Sequence, residues 1–278
     1  PNNYVSFNNE LWRIIGVFGN NVKLVRSEKL GDLSWDTSES SVNSGYGVNE
    51  WSQSDLKNYL NTMYYGGTSV TCYCSNENTT TTCPTNKLDE TSKSLIDNHT
   101  WNTGAIDETD TTIVNQETFA LNTVPFYKAE RGNVTGNICT GGDWCNDTVE
   151  RTTTWTGYVG LPYATDYAYA SSESDCETNM NAGDIDIDNQ IFNMTCKKNN
   201  WMHHGTTMDI ENATWFLSPG VRHDIGRVVL RVFGDGFVIG DFATKDGAVF
   251  PTIYLKTDIL IKSGNGTSSD PYILKAGA

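Results

Sequence analysis

The feature that most constrains the fold is a series of short β-prone runs at the two ends of the chain, each closed by a turn signal. Residues 215–217, 227–233, 236–242, 249–256 and 259–262 are aliphatic and aromatic, and Ser-Pro-Gly, Gly-Asp-Gly, Lys-Asp-Gly and Thr-Asp separate them. That is the pattern of a meander of short antiparallel strands. At the other end, residues 4–7, 11–18 and 22–26 have the same character, and Gly19-Asn20-Asn21 marks a hairpin between the last two.

Helical signals lie between these ends. Ser52-x-x-Asp55 opens a stretch with Leu56, Tyr59, Leu60 and Met63 at helical spacing, which predicts a capped helix to about Tyr64, stopped by Gly66-Gly67. Shorter helices are predicted over 88–98 and 113–121, with Pro125 limiting the second. Residues 154–163 read as strand. Polar stretches at about 68–86, 131–151 and 171–200 predict loop insertions. Strands at both ends around helices and long loops predict an α+β fold: an antiparallel sheet, short helices and disulfide-pinned loops in one module over 1–278 whose termini meet in a sheet.

The seven cysteines fall into local groups, which predicts short disulfide-closed loops. Cys139 pairs with Cys145, Cys176 with Cys196, and Cys83 with either Cys72 or Cys74, leaving one thiol over. Zinc fits poorly, because Cys72-x-Cys74 and Cys83 lack a fourth ligand nearby and Cys139 and Cys145 are too far apart for a zinc knuckle. Paired cysteines point to an oxidising, extracellular setting. Asn-x-Thr triplets at Asn78, Asn98, Asn133, Asn146, Asn193, Asn212 and Asn265 are glycosylation acceptors, although the abundance of Asn and Thr accounts for most of them.

Charge narrows the partners. With 19 Lys and Arg against 34 Asp and Glu, the net charge of −15 repels phosphate backbones and anionic headgroups. Nucleic acid and direct membrane-surface binding are thereby excluded. No apolar run has the length of a membrane span, and Pro1-Asn2-Asn3 does not open a signal peptide, so any export or anchoring segment is expected outside this sequence.

Three groups of residues could carry a site. Asp184, Asp186 and Asp188 alternate with Ile185 and Ile187 and could meet a calcium ion, but position six of an EF-hand would be Asn189 and position twelve Thr195. Calcium is the only cofactor suggested. His203, His204 and His223, with Asp209, Glu211 and Asp224, lack any metal-ligand or general-base spacing and read as surface or partly buried residues. Asp107-Glu108 with Asp110 reads as a solvated acidic loop, and Gly264-Asn265-Gly266 as a turn rather than a phosphate cradle. Of the eight tryptophans, Trp12, Trp35, Trp51, Trp155 and Trp215 lie beside aliphatic residues and are expected in the core. Trp101, Trp144 and Trp201 lie among polar residues and are the expected ligand-binding aromatics, Trp144 especially because Cys139 and Cys145 would hold its loop.

A resemblance rests on several motifs in order. The opening segment 1–18, Ser34-Trp35-Asp36, Gly47-Val48-Asn49-Glu50-Trp51-Ser52, Glu130-Arg131-Gly132, segment 155–161, Asn200-Trp201, segment 215–219 and the closing segment 266–272 resemble a family of uncharacterised extracellular domains. These occur in surface proteins of low-GC Gram-positive and mollicute-like gut bacteria, often after a type IV prepilin-like helix. The chain departs from the family pattern at Gly247-Ala248-Val249-Phe250-Pro251-Thr252 and in the insertion carrying Cys139 and Cys145. The resemblance implies a non-enzymatic surface or pilus-like subunit that contacts copies of itself or other surface proteins, in filament assembly or adhesion. It also implies a core similar to C-type-lectin-like folds. The alternatives are a carbohydrate-binding lectin-like module and a glycan-active enzyme, the latter requiring two carboxylates across a cleft.

Overall fold

The computed structural model describes residues 1–38, 47–74, 79–107, 110–115, 117–131, 152–186, 191–203, 213–221 and 227–277. It is an α+β fold in which strand dominates and the helices are short. The Cys139–Cys145 pair, Trp144, Asp188, His204, Asp209, Glu211, His223 and Asp224 lie outside the described residues.

Both chain ends build one seven-stranded sheet. Its order is Val159–Gly160, Thr252–Tyr254, Asn21–Arg26, Glu10–Phe18, Tyr4–Phe7, Tyr272–Ala276 and Ile259–Ser263. Neighbours run antiparallel except the first and last strands of the chain, Tyr4–Phe7 and Tyr272–Ala276, which pair in parallel. The expected meeting of the termini is therefore observed. Asn8 and Asn9 form the two-residue link between the first two strands at φ of 56° and 57°, a conformation that asparagine tolerates and hairpin turns require. Alternation then sends Val5, Phe7 and Trp12 inward.

The meander is only partly as expected. Thr214–Val221, Val228–Val232 and Val238–Phe242 follow one another antiparallel in a second, six-stranded sheet. The next strand, Asp246–Ala248, returns beside Thr214–Val221 in parallel and pairs on its far side with Asp32–Ser34. The last three strands leave for the seven-stranded sheet. The crossing is set by Trp215, whose buried indole donates from Nε1 to the Leu33 carbonyl at 2.9 Å and lies flat against Gly247. A Cβ at position 247 would sit 2.4 Å from Nε1, so only glycine fits there.

The first helix is capped two residues later than expected, at Ser54 in place of Ser52. Ser54 Oγ accepts from the Lys57 N–H, Glu50 caps a preceding 3₁₀ turn at Trp51–Gln53, and the helix continues from Asp55–Asn58 into a π-helical stretch, Tyr59–Tyr65, before Gly66. The second helix is shorter than expected, Glu90–Leu95, capped by Asp89. The helix expected over 113–121 is instead a small hairpin, Val114–Asn115 with Ala120–Leu121. The helix follows at Thr123–Glu130, with Pro125 in its first turn, where a missing N–H costs nothing. Proline opens this helix and does not limit one before it. A further helix, Ala164–Ala170, had no counterpart in the sequence reading.

Trp12, Trp35, Trp51 and Trp215 are fully buried as expected, and Trp155 is half-buried with its ring 5.9 Å from Trp51. Two disulfides pin the loops. Cys72 bonds Cys83 across the hairpin Cys72–Cys74 and Thr79–Thr81, which resolves the open choice and leaves Cys74 as the free thiol among the described residues. Cys176 bonds Cys196 in the interior, joining the turns Ser174–Glu177 and Thr195–Lys197. The stretch 171–200 also holds the hairpin Gly183–Asp186 with Ile191–Met194, so it is more ordered than a loop. The buried bridge closes a segment with a sequence separation of 20, and the Cys176→Ala/Cys196→Ala double variant is expected to lose about 3 kcal/mol in urea unfolding. An unchanged midpoint would contradict a stabilising bridge.

Candidate functional site

The densest chemistry in the molecule lies between the two sheets. Lys23 comes from the strand Asn21–Arg26, where it interrupts the apolar run Val22, Leu24 and Val25, and its side chain is 0% exposed. Its ammonium Nζ stands 2.5 Å from Oδ2 of Asp166, itself 1% exposed. Asp166 is the third residue of the helix Ala164–Ala170, and the same Oδ2 accepts the Tyr163 N–H at 2.8 Å, which satisfies the amide that precedes the helix. Oδ1 accepts from Arg131 Nη2 at 3.0 Å. Arg131 follows the helix Thr123–Glu130 and also donates from Nη1 to Thr165 Oγ1 at 2.8 Å.

Glu130 completes the group. Its buried carboxylate accepts the Ala164 N–H at 2.8 Å, the Thr165 N–H at 3.2 Å, and the hydroxyls of Thr165 and Ser218. Ser218 belongs to the six-stranded sheet, so the chain of contacts runs from one sheet to the other. Aromatic rings enclose the charges: Tyr163 lies 4.2 Å from Lys23 Nζ on one side and 4.6 Å from the Arg131 guanidinium, which also covers Tyr127 at 3.9 Å. Burial pushes the Lys23 amine down to about 8, opposed by Asp166. Burial pushes the Glu130 carboxyl up, against the pull of Arg131 and of its hydroxyl donors.

Trp101 belongs to this enclosure, which corrects its expected place on a binding surface. It is 1% exposed, its indole donates to the Gly157 carbonyl at 3.1 Å, and its ring lies 5.6 Å from Lys23 Nζ. The polar residues beside it in sequence alternate outward along the strand His99–Asn102. Trp201 is half-buried and packs beside Val25, Ala248 and Phe250. The Arg13 guanidinium is sandwiched there, 4.2 Å from the Tyr4 ring and 4.6 Å from Trp201. Trp201 is thus partly buried, with Arg13 and Tyr4 stacked beside it.

Asp184 and Asp186 are exposed on one face of the strand Gly183–Asp186, with Ile185 on the other. Among the described residues no three His, Cys, Asp or Glu side chains converge on a point fit for a metal ion. His203 is partly buried, with its ring 6.2 Å from Tyr167, and Asp110 Oδ1 accepts from Thr112 to close a turn. A cavity of about 150 Å³ opens beside the hairpin at 114–121, lined by Phe119, Phe126, Leu230 and Phe237. Its Asn181 amide is occupied by the Phe119 and Val238 backbone, so the cavity is chiefly apolar.

A further buried carboxylate has the raised affinity for protons that a general acid needs. Asp36 is pushed up to about 6 by burial, which outweighs the hydrogen bonds it accepts from Val48 and Ser38, with the charge of Asp55 adding to the rise. It is 1% exposed and surrounded by backbone donors, including the Asp55 N–H at 3.2 Å. Glu130 and Asp166 are buried likewise, the whole residues at 1% and 3% exposed. Comparison of the chain with protein families, with curated proteins and with solved structures finds no match.

The Lys23 group escaped the sequence reading because its members are far apart in the chain, but each left a trace. Lys23 interrupts an aliphatic strand, and Glu130-Arg131-Gly132 places two opposite charges side by side at the end of a helix. Asp36 supplies a pH test. A carboxyl whose folded pKa lies above the ordinary value contributes stability below about pH 4 that is lost as pH rises through about 6. Relative to an Asp36→Asn variant, the parent is expected to lose stability across that window, followed by urea unfolding at each pH. A difference that stays constant with pH would refute the shifted group.

Proposed function

We propose that the chain is a non-enzymatic extracellular module of a bacterial surface or pilus-like assembly, whose partners are further copies of itself or other surface proteins. The two disulfides support an oxidising compartment. No helix among the described residues is long and apolar enough to cross a membrane. The resemblance of the ordered motifs to surface-protein domains supports the assignment, and the inward, fully satisfied carboxylates weigh against hydrolysis of glycans.

The observation that carries the assembly role is the edge of the seven-stranded sheet. Ile259–Ser263 is its last strand, and it exposes Leu260 at 50% and Ile261 at 55%, with Ile273 at 37% on the neighbouring strand. Open backbone groups and apolar side chains at an edge are a template for pairing with another chain. Lys262 and Lys275 are exposed beside them, a basic margin that complements the acidic remainder of a second copy. The full-length protein is expected to form fibres in negative-stain microscopy. A Leu260→Lys/Ile261→Lys variant is expected to lose them without a fall in unfolding midpoint. A parent that stays monomeric at all concentrations would leave an adhesin head in place of a filament subunit.

The Tyr4–Arg13–Trp201 stack favours one second reading, a lectin-like module, because aromatic rings next to a guanidinium suit a sugar ring and its hydroxyls. On a glycan array, Trp201→Ala is expected to abolish any signal the parent gives. Retention of every signal would remove the stack as a binding surface.

A further inference from the structure

Lys23 and Asp166 are placed for more than an ion pair. An amine and a carboxyl lie within bonding reach, 2.5 Å from Nζ to Oδ2, at a point where neither side chain meets water. They come from segments 143 residues apart and are held there by the strand Asn21–Arg26 and the helix Ala164–Ala170. Such fixing converts a bimolecular condensation into an intramolecular one, with effective molarities reaching about 10⁵ M or more in well-oriented cases. We propose that Lys23 and Asp166 condense spontaneously to an intramolecular amide, joining Nζ to Cγ with loss of one water.

The atoms balance within the pair. The Lys23 ammonium gives one proton to Oδ2, which leaves a neutral amine facing a carboxylic acid. The Nζ lone pair attacks Cγ, and the C=O π electrons move onto Oδ1. Arg131 Nη2, 3.0 Å from Oδ1, stabilises the charge developing there as an oxyanion-hole donor does. Nζ then passes a second proton to Oδ2, the Cγ–Oδ2 bond breaks, and Oδ2 departs as water while the carbonyl reforms. The sum is an ammonium and a carboxylate going to a secondary amide and water. No oxidant, reductant or external base takes part.

The surroundings favour both steps. Burial favours the neutral amine, the form that attacks, and the aromatic walls formed by Tyr163, Trp101, Phe18 and Tyr254 keep the site dry. Two buried charges disappear in the product, and their desolvation cost disappears with them. Arg131 keeps Glu130 as its counter-ion at 3.3 Å, so no uncompensated charge is left behind. The water released would need to re-enter a closed core to reverse the reaction.

The test is the intact mass of the chain, made in a host without N-glycosylation. The protein is shown to be folded by size exclusion and near-ultraviolet circular dichroism, then unfolded and fully reduced. The expected mass is lower than that of the sequence by one water, and proteolysis should yield a branched peptide joining the segments around Lys23 and Asp166. Lys23→Arg and Asp166→Ala variants should each show the full sequence mass. A folded parent with the full sequence mass would overturn the proposal, as would a water loss that peptide mapping places at another residue, such as an Asp-Gly succinimide.

Discussion

The structure depends on one electrostatic constraint: four ionisable groups buried between two sheets must satisfy one another. Lys23 belongs to the seven-stranded sheet, Asp166 to the helix beside it, Arg131 and Glu130 to the end of a second helix, and Ser218 to the six-stranded sheet. An isolated buried charge costs several kcal/mol even after relaxation, and removing one partner of a buried pair costs about 3–5 kcal/mol. Each member therefore has a position that the others fix. The two helices are short, and neither would hold in water alone. Their termini are set by this group: Asp166 accepts the amide that precedes one, and Glu130 accepts the first amides of the same helix from the end of the other.

Around that fixed point the packing is aromatic. Trp35 and Trp51 meet at 5.3 Å between ring centres, and Trp101 meets Tyr254 at 4.7 Å. Large rings bury much apolar area per residue, which suits a chain whose polar residues are mostly uncharged. They also act as walls for the cations, because a ring face attracts an ammonium or guanidinium that has lost its water. Tyr163 does this for Lys23 and Arg131 at once, and its hydroxyl donates to the Asn102 carbonyl at 2.8 Å, tying the group to the strand His99–Asn102 that carries Trp101. The disulfides are part of the packing: Cys176 and Cys196 are fully buried in the apolar cluster with Phe126 and Tyr167, and Cys72 is buried in the cluster with the tryptophans.

Much of this was legible in the sequence where the signal is local. The terminal strands, the Gly66-Gly67 stop, the Cys176–Cys196 bridge and the burial of Trp12, Trp35, Trp51 and Trp215 follow from alternation, turn residues and spacing. The failures come from non-local causes. Pro125 looks alike before and after a helix start, and the choice was made by packing of Phe126 into the core. Trp101 has polar neighbours in sequence, but its inward face is decided by pairing with residues more than fifty positions away. The parallel return of Asp246–Ala248 depends on Gly247 meeting Trp215. The buried charges were hidden for the same reason, since no single segment contains both partners of the Lys23–Asp166 pair.

If the charged group is the point on which both sheets depend, the helix Ala164–Ala170 should not open by itself. Native-state hydrogen exchange measures this directly, through the amides of Ala164 and Thr165, which donate to the Glu130 carboxylate. These amides are predicted to exchange only with global unfolding, at the same free energy as those of the strand Asn21–Arg26. Exchange through a local opening, well below the global free energy while the strand stays protected, would contradict the account.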